Sequence, residues 1–310
     1  MATQTEIRLS QKRKRKGILV PLLEDLLQKP LEIENSRDAD FIHILMLKQI
    51  EREERRSLNG MYGPSSLAGC LRQVYLARNH KEHDIKRVAH LRIEPNFYFL
   101  TGNWLHIKWQ FALFKLNDLL PDSEFHLWGL EVPVTSKRGD HGGTLDALVR
   151  IRGEYYVVDF KGWNVRDFRR CCSGEVSLDA KIQVSDYIML ANVDRTLRVP
   201  KIERGLLVVE NKGGPDKDHP IALTEVEINA SEHLPEIKSR MEMLRQHEKE
   251  NSIPEIECVS TKSIQFQGCP FHKHCRQEVK AVESRDAKGR ESEILTPRRS
   301  NRPRRSRPGK

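Results

Sequence analysis

The chain has 310 residues and a formal net charge of +9, long enough to bury a substantial core. No apolar run approaches the roughly 20 residues that span a bilayer, and MATQTEIRLSQKRKRK at the N-terminus lacks the apolar stretch of a signal peptide. A membrane protein and a secreted one are therefore not expected, and a cytoplasmic chain is.

The charge sits mainly at the two ends. Pro297–Lys310 holds seven basic residues and no acid, and Lys12–Lys16 holds five more, which leaves −3 for the rest. Basic arms of this kind attach to phosphate backbones without reading sequence, although a solvated tail needs no function. Six cysteines (Cys70, Cys171, Cys172, Cys258, Cys269, Cys275) in a reducing compartment point to metal ligation or free thiols rather than disulfides.

Taken in order, residues 1–16 read as disordered. GILVPLLEDLLQ and the stretch from Asp38 to Arg56 follow as helices, the second amphipathic. Pro64-Ser65-Ser66 is a helix start with serine available as N-cap, and LAGCLRQVYLARN continues it with Cys70 on an apolar face. A longer helix is predicted from Glu94 to Asn117, interrupted in its pattern by Gly102, Asn103 and His106. HLWGLEVPVTS, from His126, is a strand carrying Glu131 between apolar neighbours. Leu178–Ala191 is a helix in which Gln183 and Tyr187 share a face. RGLLVVENK and IALTEVEI are strands, and Glu232–Lys249 is a charged amphipathic helix. Cys171 and Cys172 read as ordinary loop thiols. The order of elements predicts a mixed α/β core with helices on the sheet.

Gly142–Gly162, GGTLDALVRIRGEYYVVDFKG, reads as two strands around an Arg152-Gly153-Glu154 turn. Asp159 and Lys161 project from one face, roughly 7 Å apart along the strand, and Asp146 on the partner strand is within reach of the same face. Burying such charges is unfavourable unless they are paired or bind a metal, so a site is expected here.

The segment ECVSTKSIQFQGCPFHKHC places Cys258, Cys269 and Cys275 in eighteen residues with little predicted secondary structure. Such a loop needs a staple, and in the cytosol a metal is the natural one. Cys70 is the obvious fourth ligand. His272 or His274 could instead complete a Cys₃His zinc site.

Together these pieces resemble the RecB-like branch of the PD-(D/E)XK nucleases. The resemblance is greatest to the iron–sulfur exonucleases related to the AddB nuclease domain and the CRISPR-adaptation nucleases, phage-encoded relatives included. SLAGCLRQVYL looks like the first-cysteine helix, GNWLH like the G-x-x-x-H motif and LEVPV like the E-x-P strand. GGTLDALV is similar to G-x-x-D, VVDFKG to (D/E)-x-K and QVSDY to Q-x-x-x-Y. The C-P-F-x-x-x-C ending, Cys269–Cys275, is as in the family. One departure is that Cys258 and Cys269 are separated by ten residues, where the common pattern sets two downstream cysteines three apart.

The resemblance implies a restriction-endonuclease-like mixed sheet core flanked by helices, with a helical N-terminal region and an iron–sulfur C-terminal loop. It implies a disordered basic arm over 1–16, one nuclease domain over 17–279 (helical region 17–120, catalytic core 121–250, cysteine loop 251–279) and a disordered basic tail over 280–310. Asp146, Asp159, Lys161, Gln183 and Tyr187 would be catalytic. His106, Asp146, Asp159 and the Phe160 carbonyl would hold Mg²⁺ or Mn²⁺. Cys70, Cys258, Cys269 and Cys275 would hold a [4Fe–4S] cluster, with zinc as the alternative. Glu131 would be a supporting group or a strand residue without a catalytic part.

The implied activity is metal-dependent DNA exonuclease cleavage at ends or on single strands, in recombination, repair or replication. A helicase, recombinase or adaptation partner would fit, as would the host cytoplasm for a phage-encoded chain. The alternative is a non-catalytic DNA-binding subunit that keeps the fold and cluster.

Overall fold

Strand-forming segments rich in Val, Leu and aromatic residues assemble a five-stranded mixed sheet in the spatial order β1-β2-β3-β4-β5. In the computed structural model, which describes residues 17–28, 30–58, 61–88 and 93–295, these are β1 (Phe125–Thr135), β2 (Gly142–Ile151), β3 (Glu154–Trp163), β4 (Arg204–Asn211) and β5 (Leu223–Asn229). The β1–β2, β2–β3 and β4–β5 pairs are antiparallel, and β3–β4 is parallel. A parallel pair needs a crossover. It is made by α6 (Val165–Cys172) and α7 (Leu178–Val193). The β2–β3 turn is Arg152-Gly153, both with positive φ (51° and 88°), as a two-residue hairpin connection requires.

Helices cover both faces. Ahead of the sheet lie α1 (Val20–Leu26), α2 (Ser36–Leu58), α3 (Pro64–Leu67), α4 (Leu71–Asn79) and α5 (Ile93–Leu119). After it come α8 (Leu234–Glu250), α9 (Ile264–Gly268) and α10 (His272–Leu295). Leu23, Trp109 and Leu113 of α1 and α5 pack on Val149, Val158 and Val208. Phe168, Val184 and Ile188 of α6 and α7 pack on Leu148, Val157 and Leu207 of the opposite face. A third cluster joins Tyr75 and Leu76 of α4 to Ile182, Ile237, Met241 and Phe271, outside α7. The Glu225 carboxylate of β5 accepts the N–H groups of Ile18, Leu19 (2.9 Å) and Val20 (2.6 Å), fixing the start of α1.

The expected helical N-terminal region is present, with α1, α2 and α5 on one side of the sheet and α3 and α4 beside α7, α8 and the cysteine segment on the other. Several other sequence expectations need correction. Gly63, not a serine, is the N-cap of α3, and Ser66 Oγ donates to Gly63 O (2.9 Å). The single helix expected through Cys70 is broken there, because Cys70 adopts an extended ψ of 124° and becomes the N-cap of α4. Cys171 and Cys172 end helix α6 rather than lying in a loop; its start is capped by Asn164, whose side chain accepts the Asp167 N–H at 3.0 Å. Residues 280–295, expected as part of a disordered tail, continue α10. This stretch is rich in Glu, Lys, Arg and Ala, and fully buried Val279 packs with Phe266 and Cys275. The arms at 1–16 and 296–310 lie outside the described residues. No helix of the described residues is long and apolar enough to cross a membrane.

Candidate active site

The site forms where the sheet forks. β2 and β3 pair from Ile151↔Glu154 only as far as Ala147↔Val158. Beyond that point β2 stays with β1 to Gly142 and β3 stays with β4 to Trp163. The next residues on the two separating strands are Asp146 and Asp159. Asp146 fills the gap left by the missing ladder bonds, and its Oδ2 accepts the Phe160 N–H at 2.9 Å.

On the other side of β2, the pairs Leu130↔Ala147 and Val132↔Leu145 bracket Glu131 and Asp146, which therefore stand opposite each other. Glu131 has φ +49°, a left-handed conformation uncommon for a residue with a side chain. Helix α5 closes the fork from above. Its Gln110, fully buried, donates through Nε2 to Glu131 Oε1 (2.6 Å) and to the Asp146 carbonyl (3.0 Å). One turn earlier, His106 Nδ1 lies 3.1 Å from Asp146 Oδ1, off the line of a hydrogen bond.

Ligand atoms of His106, Glu131 and Asp146 all lie within 4.8 Å of one another, the one such group among the described residues. The sequence reading left Glu131 outside the ligand set. Asp159 has different partners here. Its Oδ1 accepts from Lys161 Nζ (3.1 Å) and Gln183 Nε2 (3.0 Å), and its Oδ2 lies 2.8 Å from the same ammonium. The Phe160 ring is fully buried in the core, and its N–H is the group directed at Asp146. Tyr187 stands a turn beyond Gln183 and packs over Gly143, where an added Cβ would sit 3.0 Å from the Tyr187 ring and 3.0 Å from Pro64. The shared face of Gln183 and Tyr187 thus addresses two places on the sheet.

Burial raises the Asp159 pKa, with Lys161 opposing the shift and the Asp146 charge adding to it. Burial disfavours the charged form of His106, but the Asp146 carboxylate outweighs it and the net shift is upward. Hard carboxylate oxygens, one imidazole and an imidazole nitrogen without an aligned hydrogen bond make a donor set suited to a divalent cation.

No family model matches the chain, and no curated protein matches it. Solved structures that resemble it include that of SSO0001, with a TM-score of 0.40 at 18% identity, covering 73% of this chain and 92% of that one. An alkaline exonuclease (LHK-Exo) from Laribacter hongkongensis gives 0.36 at 12% identity, covering 64% and 100% of the two chains. LHK-Exo in complex with dAMP gives 0.35 at 14%, covering 65% and 99%.

The four cysteines named from the sequence meet away from the fork. Cys70 at the start of α4, Cys258 in the segment after α8, Cys269 after α9 and Cys275 in the first turn of α10 line one small cavity with Leu76 and Phe271. Burial pushes the Cys258 thiol up to about 11, with the charges of Cys70, Cys269 and Cys275 adding to it, and pushes Cys269 up to about 11 as well. Burial also raises Cys275, with Arg72 opposing. Arg72, itself buried, donates to Pro254 O (2.5 Å) and to both oxygens of Glu278, with Nη1 3.9 Å from Cys275 Sγ. The long Cys258–Cys269 spacing is taken up by α9 and the turn before it, where Glu283 of α10 accepts from Ser260 Oγ and the Thr261 N–H. His274 is exposed, and His272 Nδ1 is 2.8 Å from the Cys269 carbonyl. Cys171, the buried thiol of α6, lines neither site; burial pushes it up to about 12.

Proposed function

We propose that this chain is a metal-dependent DNA nuclease, and more specifically an exonuclease acting at ends or on single strands in recombination, repair or replication. The observation that supports this reading most is the meeting of His106, Glu131 and Asp146 within 4.8 Å beside an Asp159–Lys161 pair. These donors fit Mg²⁺ or Mn²⁺, and Asp159 and the Phe160 carbonyl are proposed to complete the set. Such an ion, when bound, supplies neutralisation of phosphate charge and an acidic water.

The remaining work falls to the chain. Lys161, 26% exposed, presents its ammonium at the mouth of the fork, where an anionic phosphate oxygen would find a donor. Gln183 holds Asp159 Oδ1 and so fixes the carboxylate rotamer. Gln110 does the same for Glu131. Tyr187 holds the start of β2 through Gly143 and is proposed to position the strand rather than to touch Asp159.

The cysteine site is read as a [4Fe–4S] site. Four thiols from four separate segments converge on one small cavity, the number of ligands that either a [4Fe–4S] cluster or a tetrahedral zinc takes. Anaerobic purification separates the two: a brown protein supports the cluster, and a colourless zinc-bearing one rejects it.

The test of the nuclease reading compares the chain with Asp159→Ala on 5′- and 3′-labelled strands with Mn²⁺ or Mg²⁺. Cleavage is expected to fall to background in the variant, and the label released first gives the polarity. Equal activity in the two proteins sinks the reading. A wild type that binds DNA and never cuts, whatever the metal, leaves the non-catalytic subunit in its place.

A further inference from the structure

With its arms removed from the count, the chain is slightly acidic, yet its cations are not evenly spread. A groove of about 880 Å³ opens between the β1–β2 turn, residues 136–141, and helix α8. Five cations line it against two carboxylates, Glu242 and Glu250. On the turn stand Lys137 and Arg138; on α8 stand Lys238, Arg245 and Lys249. Arg245 is engaged with Asp140 (2.7 Å), which fastens the turn to the helix. Among the described residues the other four cations have no ion-pair partner. On α8, positions 238, 241, 242, 245, 246 and 249 recur at helical spacing, so one face of the helix forms the wall. Met189, Val193 and Met241 supply its apolar lining, and His141, which also lines it, is paired with buried Asp186 (2.7 Å).

Two elements run from the groove to the fork: α7, which carries both Met189 and Gln183, and β2, which follows the turn and carries Asp146. Met189 is six residues from Gln183 along α7, about 9 Å at 1.5 Å per residue. His141 is five residues from Asp146 along β2, about 17 Å at 3.3 Å per residue. At 3.4 Å per nucleotide of a duplex strand, those spans are about three to five nucleotides.

We propose that this groove is a backbone track for the uncut part of the DNA, its cations holding phosphates about three to five nucleotides from the fork. The inference rests on the nuclease reading for the position of the cut. Cations without partners in an otherwise near-neutral body are what a phosphate contact requires, because each releases counterions rather than breaking an internal pair. The unbranched methionines of the lining accommodate any base without selecting one. The track therefore has no sequence preference.

The experiment measures binding of the full chain to fluorescent 30-nucleotide and 4-nucleotide DNA without metal, as a function of salt. Two double variants on opposite walls, Lys137→Glu with Arg138→Glu and Lys238→Glu with Lys249→Glu, are compared with wild type after circular dichroism shows both folded. Each pair is expected to weaken binding of the 30-mer and to flatten the log K against log salt slope by about 1.5. The loss should shrink on the 4-mer, which, held at the fork, reaches only the near end of the track. Unchanged slopes with the 30-mer overturn the track while leaving cleavage at the fork intact. Unchanged DNA binding with lost capture of polyglutamate overturns it in favour of an acidic protein partner. Flattened slopes in a protein that never cuts keep the track and overturn the nuclease.

Discussion

Gln110 joins the two carboxylate strands by giving one amide group to Glu131 and to the Asp146 backbone. Groups that orient metal ligands without touching the ion are typically worth 10–100-fold in affinity. Gln110→Ala should therefore raise the Mn²⁺ dissociation constant by about 10–100-fold, read by electron paramagnetic resonance titration, and an unchanged constant would remove Gln110 from the site. Glu131 carries a second expectation. At φ +49° any side chain costs about 1 kcal/mol relative to glycine. Glu131→Gly and Glu131→Ala should lose metal affinity alike, but the glycine variant should be about 1 kcal/mol more stable in urea unfolding. If the two unfold together, the left-handed backbone is not a property of this position.

At the scale of elements, helix α7 is seated on β4 by the absence of a side chain. A Cβ on Gly205 would lie 2.5 Å from Val184 Cγ1 and 3.1 Å from both Ile188 Cδ1 and the Val157 carbonyl. Gly205→Ala should cost about 1–3 kcal/mol of unfolding free energy, because a branched side chain and a strand backbone have little room to yield. The β1–β2 turn gives a pH signature instead. Burial would raise the Asp140 pKa, but hydrogen bonds from Arg245 and Ser136 more than offset it and hold the group at about 2. A carboxylate depressed in the folded state stabilises above its ordinary value near 4 and loses that contribution as pH falls toward 2. Arg245→Ala should thus cost about 1–2 kcal/mol at pH 6, allowing for partial exposure, and progressively less below pH 4. A cost independent of pH would mean that Arg245 acts through packing alone.

These elements also show what the chain discloses before it folds. The β2–β3 hairpin was legible because alternation and an Arg-Gly turn are local. Helix α6 was not, although Asn164 and Asp167 stand at N-cap and N3, because VRDFRRCC has few apolar positions to set a period. Helix α10 was not legible either, because its few apolar residues, Val279 and Val282 and then Ile294 and Leu295, are too sparse in a charged run to set a period. Asp146, His106 and the four cysteines were placed by motif. The roles of Glu131 and Gln110 depend on where β2 and β3 part, and that is fixed by pairing across three strands and a helix.

The whole molecule is closed by residues far apart in sequence. α3 and α4, which precede the sheet, and α9 and α10, which follow it, sit on the same side, joined by the third core cluster and by Arg72 to Glu278. The thiols of Cys70 and Cys258 are separated by almost two hundred residues, so a group bound by both restricts the unfolded chain across the entire sheet. For a covalent link over such a loop the chain-entropy account gives roughly 5 kcal/mol, an upper figure for a metal clip. Without a bound group, Cys258 and Cys269, both pushed up to about 11, stay protonated and supply only packing. If the four thiols hold a metal group as proposed, Cys70→Ser, or anaerobic removal of that group with a chelator, should therefore lower the melting temperature. It should also raise hydrogen exchange in α4, α9 and α10 while leaving β2 and β3 protected, since the core on either face of the sheet contains none of the four cysteines. Loss of protection spread evenly over the sheet would mean that the cysteines support the sheet core itself. Unchanged melting after complete metal removal would mean that packing around Phe271 and the Arg72–Glu278 pair suffices to hold the ends together.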